Sequence, residues 1–223
     1  MFGDTPFFFR SRSRKILDHL CGPNGRPSLN TPAHVITSLL VIRNPREDML
    51  LFTAIVVGAV LPDAAMIVFY GIQKFVLGTP ESIIWSEKYY DPVWQNVFDA
   101  FNSIPLILLA LLGTYAARLP RLSALLVSML IHCLCDLPVH HDDGHRHFFP
   151  ISDWRFESPV SYWDPAHHGN AFLLFELALV IGGTLWLVLR AKRAGLKVAY
   201  ATCGLVHVGF GAFAMLHWGA AGA

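Results

Sequence analysis

His132 and Asp136 stand four residues apart at the end of an apolar run, in "IHCLCDLPVHHDDGHRHFFP", residues 131–150. On a helix that spacing puts both side chains on one face. An imidazole and a carboxylate so placed can bind one metal ion, or the carboxylate can orient the ring that binds it. The plain alternative is a hydrogen-bonded helix pair with no ligand. Asp63 follows Pro62 in "GAVLPDAAM". An ionisable group inside an apolar span is costly, and it usually faces a polar cavity and marks function. Its plain alternative is a carboxylate at the membrane interface or one paired with a cation. His34, in "TPAH", is an ordinary helix-start residue by itself and gains weight only from its company.

The residues after 138 add His140, His141, Asp142, Asp143, His145 and His147, then His167 and His168. Not all can be ligands, because zinc takes four in a structural site and three plus water in a catalytic one. His140 and His141 lie one turn past Asp136 and are the best placed to join it. One of Asp142 and Asp143 is a candidate general base. Most of the other His and Asp read as a solvated loop. Arg146 and Arg155 can hold a phosphate bidentately, or simply contact lipid headgroups. Trp154, Phe156, Tyr162 and Trp163 suit an interfacial aromatic belt. Further along, Glu176 and His207 are polar groups in apolar runs, each a candidate partner for the other.

The elements that must position these groups are membrane helices. The chain has 223 residues, 54% hydrophobic and 15% charged, with net charge +1; mean hydropathy is +0.45. Soluble domains carry about 25% charged residues, so the composition is that of a membrane protein. No basic field points to nucleic acid. Cys21, Cys133, Cys135 and Cys203 form no disulfide framework and read as small buried hydrophobes. A bilayer core needs about 20 apolar residues as helix. Five segments meet that, roughly 49–70, 97–117, 122–138, 168–189 and 198–217, and a short one covers 32–43. The expected fold is therefore all-α and polytopic: five long transmembrane helices plus one short N-terminal helix. It forms a single domain over 31–218, with a His/Asp- and aromatic-rich loop over 139–167.

Orientation follows the lysines and arginines. Arg43 and Arg46, Arg118 and Arg121, and Arg190, Lys192, Arg193 and Lys197 fill three loops that fall on one side, the cytoplasmic one. The 139–167 loop then lies outside. Residues 1–30, with Arg10, Arg12, Arg14, Lys15 and Arg26, break this pattern if 32–43 crosses. Leu29 directly precedes "NTPAH", so this basic tail is a candidate misassigned start, with translation beginning at Leu29. Helix rise places Asp63 and Asp136 each about 20 Å, and His132 about 15 Å, from the cytoplasmic side. Residues of separate segments thus reach a similar depth near the outer face.

"TPAH", "GAVLPD", "IHCLCD" and "FFPISDWRF", in that order over about residues 30–160, resemble the bacterial membrane-bound metal-dependent hydrolases. These are inner-membrane proteins described as hydrolases distantly related to zinc-dependent phospholipase C. The resemblance implies that His34, Asp63, His132 and Asp136 bind the metal. It also implies a His-Arg…Thr-His-Ser element before the third helix. Here that stretch reads "VFDAFNSIPL", and Asn102 stands where a His is implied. A closer subgroup shares "HHDD" and "DWRFESPVSYWDP". It has no established activity, and some members are described as cobalamin-biosynthesis proteins.

The expected function is a metal-dependent hydrolase of the bacterial inner membrane, its site facing the periplasm. It would act on a phosphoester or other ester of a membrane lipid or lipid-like substrate. The expected cofactor is a divalent metal, zinc first. The metal set is His34, Asp63, His132, Asp136, His140 and His141, and the candidate substrate contacts are Asn102, Arg146 and Arg155. The rivals are a metal-handling or transport protein and a non-catalytic membrane protein. No G-x-S-x-G, glycine-rich phosphate loop or H-E-x-x-H supports other hydrolase or nucleotide chemistry.

Overall fold

The computed structural model describes residues 31–44, 46–162 and 164–218, with side chains through Gly209. The basic tail, its Leu29 start, Cys21 and Trp163 lie outside the described residues.

Eight α-helices and no strand occur among the described residues. Helix α1 runs Thr31–Val41 and carries Pro32 in its first turn, where the missing N–H costs nothing. Asn44 then bridges the turn, donating to the Asp48 carbonyl and accepting from the Asp48 amide, both at 2.9 Å. Asp48 caps helix α2, Met49–Gly71, by accepting from Leu50 N–H. Helix α2 passes directly into a π-helical turn, Ile72–Val76. Two short helices follow, α3 (Glu81–Ser86) and α4 (Pro92–Phe101), and then α5 (Ile104–Ala116), α6 (Pro120–Asp136), α7 (Gly169–Arg190) and α8 (Ala194–Trp218).

The all-helical class stands, and among the described residues two or three spans are found where five are expected. Helix α2 with its π turn, 28 residues, and α7, 22 residues, are each long and apolar enough to cross a membrane. Helices α4 and α5 make a third span only if the bent pair is counted as one. The expected helix over 97–117 is broken at Asn102–Ser103, where the axes bend by 45°. Ser103 caps α5 by accepting from Leu106 N–H at 3.2 Å and gives its own proton to the Phe149 carbonyl. Ile104 N–H donates to the His147 carbonyl at 2.9 Å, so the later loop fills the break. The segment expected over 122–138 ends as α6, 17 residues or about 25 Å, with a polar end at His132 and Asp136. Part of the segment expected over 198–217 has side chains outside the described residues.

Three polar connections gather the basic loops at one end of the bundle. Arg121, at the start of α6, pairs with Asp48 at 3.0 Å. The Glu47 carboxylate accepts from the backbone N–H groups of Lys192 and Arg193, in the turn that leads into α8. Lys192 lowers the Glu47 carboxyl most, against a smaller opposing effect of burial.

Helix α2 packs most closely on α6. A Cβ on Gly58 would lie 2.1 Å from the Leu125 carbonyl oxygen. Helix α1 wedges against α2, α6, α7 and α8. Its Ile36 joins Ile55, Val180 and Leu196 in a core whose members are fully buried. Gly183 admits Ile36 and Leu40 against α7. A second cluster, Phe69, Tyr89, Trp94 and Phe98, locks α4 to the C-terminal end of α2 through edge-to-face and stacked rings.

Candidate metal centre

His132 is built into the α2–α6 contact and is fully buried. Its Nδ1 lies 2.7 Å from the Ala59 carbonyl. That carbonyl lies on α2, one turn before Asp63. A carbonyl only accepts, so Nδ1 carries a proton and Nε2 is the nitrogen turned toward Asp136, where a metal would meet it. The next turn of α6 supplies Asp136, and α1 supplies His34. His34 Nε2 is 2.9 Å from Asp136 Oδ1, and His132 Nε2 is 3.0 Å from Asp136 Oδ2. The two imidazoles stack at 3.8 Å between centroids, 25° apart.

Those distances are short, yet His132 Nε2 and Asp136 Oδ1 have no partner in hydrogen-bond geometry. Donor atoms of His34, His132 and Asp136 lie within 4.8 Å of one another. Buried polar atoms that approach without bonding are costly. Convergence on a common point is what metal coordination requires, and two imidazoles with one carboxylate is a set used by divalent transition metals. The residues therefore fit a metal ion.

Asp63 stands at the edge of this group. Its Oδ1 is 3.6 Å from His132 Nε2, and its side chain is 22% exposed where those of the triad are at most 4%. The Thr31 hydroxyl donates to its other oxygen. The cluster is thus most open at Asp63, at the start of α1.

His140 also reaches the group. Its Nε2 is 3.7 Å from Asp136 Oδ1, and its Nδ1 is 2.9 Å from Asp143 Oδ1. Burial would lower its pKa, but the Asp136 and Asp143 carboxylates prevail and raise it to about 10. Burial would raise Asp143, and the hydrogen bond from His140 instead holds it below the ordinary carboxylate range. Tyr162 packs on the His140 ring at 4.8 Å.

Other expected site residues lie elsewhere. His141, next in sequence to His140, does not join the centre. Its Nδ1 lies 2.6 Å from the Ser158 carbonyl, and its ring stacks on His167. Asp142 is exposed. Asn102 is buried at the break between α4 and α5, where its amide donates to the Phe98 carbonyl at 3.0 Å and the Pro62 carbonyl at 3.4 Å. It holds the bend and faces no opening.

Arg146 and Arg155 are spent on structure. Arg146 binds Asp99 through its backbone N–H and its Nε, and reaches Asp153 and Asn96 at 2.6 Å each. Arg155 donates to the Gly144 carbonyl and to Gln95, and lies 3.5 Å from Asp99. Both guanidinium forks thereby tie the long loop to α4. Three participants escape the sequence reading: the Ala59 carbonyl, the Thr31 hydroxyl and the Asp99 anchor. Of these only Asp99, an acid in the apolar "VFDAF", leaves a signal in the sequence. Glu176 and His207 are both buried, and neither oxygen of Glu176 nor Nδ1 of His207 has a partner among the described residues.

The fold and site together define an all-helical chain, compatible with a membrane, that carries a buried His/Asp cluster able to hold a metal. Compared with known proteins, it matches no family model, no curated protein and no solved structure.

Proposed function

We propose that the chain is a membrane-embedded, metal-dependent hydrolase acting on a phosphoester or other ester of a lipid-like substrate. The observation that carries this reading is the convergence of His34, His132 and Asp136 with donor atoms left unbonded. Three protein ligands with an opening at one edge match the pattern of catalytic rather than closed structural sites. When bound, a divalent metal such as zinc supplies Lewis-acid polarisation and water activation.

The chain's own groups have distinct tasks in this reading. His34, His132 and Asp136 hold the ion. Asp63, at the exposed edge, completes the shell or meets the incoming water. His140 is held doubly protonated between the Asp143 and Asp136 carboxylates, so it carries a proton at Nε2, toward the centre. It is placed to deliver that proton to a leaving oxygen. The surrounding apolar helices exclude bulk water and receive the acyl part of a lipid. The three basic loops at the opposite end support an outward, periplasmic site in a bacterial inner membrane.

The test uses the full-length protein purified in detergent. Metal is quantified in the wild type and in His132→Ala plus Asp136→Ala, and both are assayed on lipid phosphates in mixed micelles. The reading expects one equivalent of tightly held metal at this centre and metal-dependent release of phosphate or alcohol, both lost in the double variant. Equal, substoichiometric metal in the two proteins would sink it. Stoichiometric metal without hydrolysis would transfer the site to metal handling.

A further inference from the structure

His141 was grouped with the buried ligands because it follows His140, but the structure turns it toward a different partner. Its ring stacks on His167 with centroids 3.7 Å apart and planes 22° apart. This nearly repeats the pairing of His34 with His132, at 3.8 Å and 25°. The likeness extends to the atoms. His141 Nδ1 faces the Ser158 carbonyl at 2.6 Å, as His132 Nδ1 faces Ala59. His167 Nδ1 faces Asp164 Oδ2 at 2.7 Å. Each ring is thus fixed by an acceptor at Nδ1, which leaves Nε2 as the lone-pair nitrogen, the arrangement of metal-binding histidines. A carboxylate is also at hand, since Glu157 Oε1 lies 3.6 Å from His141 Nε2.

The setting differs from the buried centre in one respect. The side chains of His141 and His167 are 21% and 36% exposed, and that of Glu157 is 71% exposed. Among the described residues, three donor atoms lie within 4.8 Å of one another at the buried triad alone, so the exposed Glu157 side chain would have to swing in to complete this second set.

We propose that His141, His167 and Glu157 form a second, surface-exposed site for a divalent transition metal, with Ser158 and Asp164 orienting the two rings. Imidazole with carboxylate suits zinc, nickel, cobalt or copper rather than calcium or magnesium. The site stands on its own geometry and does not depend on the buried triad or on hydrolysis.

Zinc titration of the full-length protein, by calorimetry in detergent and without an affinity tag, tests this. The wild type is expected to show two classes of site, one weaker than the other. His141→Ala plus His167→Ala should remove the weaker class alone. His132→Ala plus Asp136→Ala should remove the other and keep the weaker one, so failure at either site is seen separately. Unchanged two-class binding in the His141/His167 variant overturns the proposal. Should that variant fail to fold, Glu157→Gln at the exposed side chain replaces it. It is expected to weaken the second class about tenfold, and unchanged affinity there overturns the proposal equally.

Discussion

The Nδ1 atom of His132 sits 2.7 Å from the carbonyl oxygen of Ala59. One contact thereby sets the tautomer, the ring orientation and the join between α6 and α2. Its Nε2 is turned to the place where His34 and Asp136 also meet. Removing His34 alone, as His34→Ala, leaves two ligands in place. Zinc affinity is expected to fall by more than about 100-fold, beyond the range for loss of an orienting partner. Competition against a chromogenic chelator measures this, and wild-type affinity would exclude His34 from the shell.

Asp143 touches the centre only through His140. Asp143→Asn should therefore leave metal content near the wild-type level and lower hydrolysis by about tenfold or more, as expected when a proton donor loses its orienting group. Parallel metal and rate measurements separate the two effects. Loss of metal in proportion to activity would instead make Asp143 a ligand.

The α2–α6 contact has no room at Gly58, where an added Cβ meets the Leu125 carbonyl at 2.1 Å. Gly58→Ala must push the helices apart and is expected to cost about 3 kcal/mol. In α5, a Cβ on Gly113 meets nothing within 4 Å. Gly113→Ala should be neutral or stabilising, by up to about 1 kcal/mol. Thermal midpoints in detergent report both, and equal midpoints for the two variants would refute the packing argument.

Acid should weaken the fold through His147. Burial, and then the nearby His145, lower its pKa from 6.5 to about 4. A group with a depressed folded pKa contributes stability that is complete above its unfolded pKa. For His147 that contribution is lost as pH falls from about 6.5 through 4, about 3 kcal/mol in all. His140 works oppositely: its folded pKa is about 10, so its contribution is complete below 6.5 and lost as pH rises toward 10. Melting curves of His147→Gln should be flatter than wild type between pH 6.5 and 4.5 and unaltered in slope above pH 7. An unchanged acid slope would count against the buried neutral imidazole.

Asp99 is fully buried and anchors both Arg146 and Arg155. Asp99→Asn removes the buried anion that Arg146 and Arg155 share and leaves Arg146 with the Asp153 carboxylate alone, a change expected to cost about 1 to 3 kcal/mol. Limited trypsin digestion should then cut at Arg146 or Arg155 much faster than in the wild type. Equal cutting rates would show that the loop is held by other means.

The parts of this structure that the sequence discloses are those governed by local periodicity and depth. Helices α2 and α7 are uninterrupted apolar runs, and helix rise brings His132 and Asp136 to the level of Asp63. The break at Asn102–Ser103 is written locally, as Ser103 capping a helix with Pro105 in its first turn, but the apolar run around it masks the signal, and the Ile104 bond to His147 secures the bend from the later loop. The parting of His140 from His141 is hidden for another reason. In an irregular loop, neighbouring side chains diverge according to which carbonyls and carboxylates they meet, here Asp143 against Ser158. Arg146 and Arg155 read as phosphate ligands because Asp99, their true partner, lies far back in the chain.

Helix α1 has only 11 residues, yet it delivers His34 to a group otherwise carried by the closely packed α2–α6 pair. Its seating and ion binding are consequently one equilibrium: whatever occupies the centre fastens the N-terminal segment to the bundle. A chelator should loosen that segment first, and protease cleavage after Arg43 or Arg46 should report it before the rest of the protein melts. Unchanged cleavage on chelation would show that α1 is seated by Ile36 and its apolar neighbours alone. Coupled cleavage would make α1 a latch that records metal supply at the membrane.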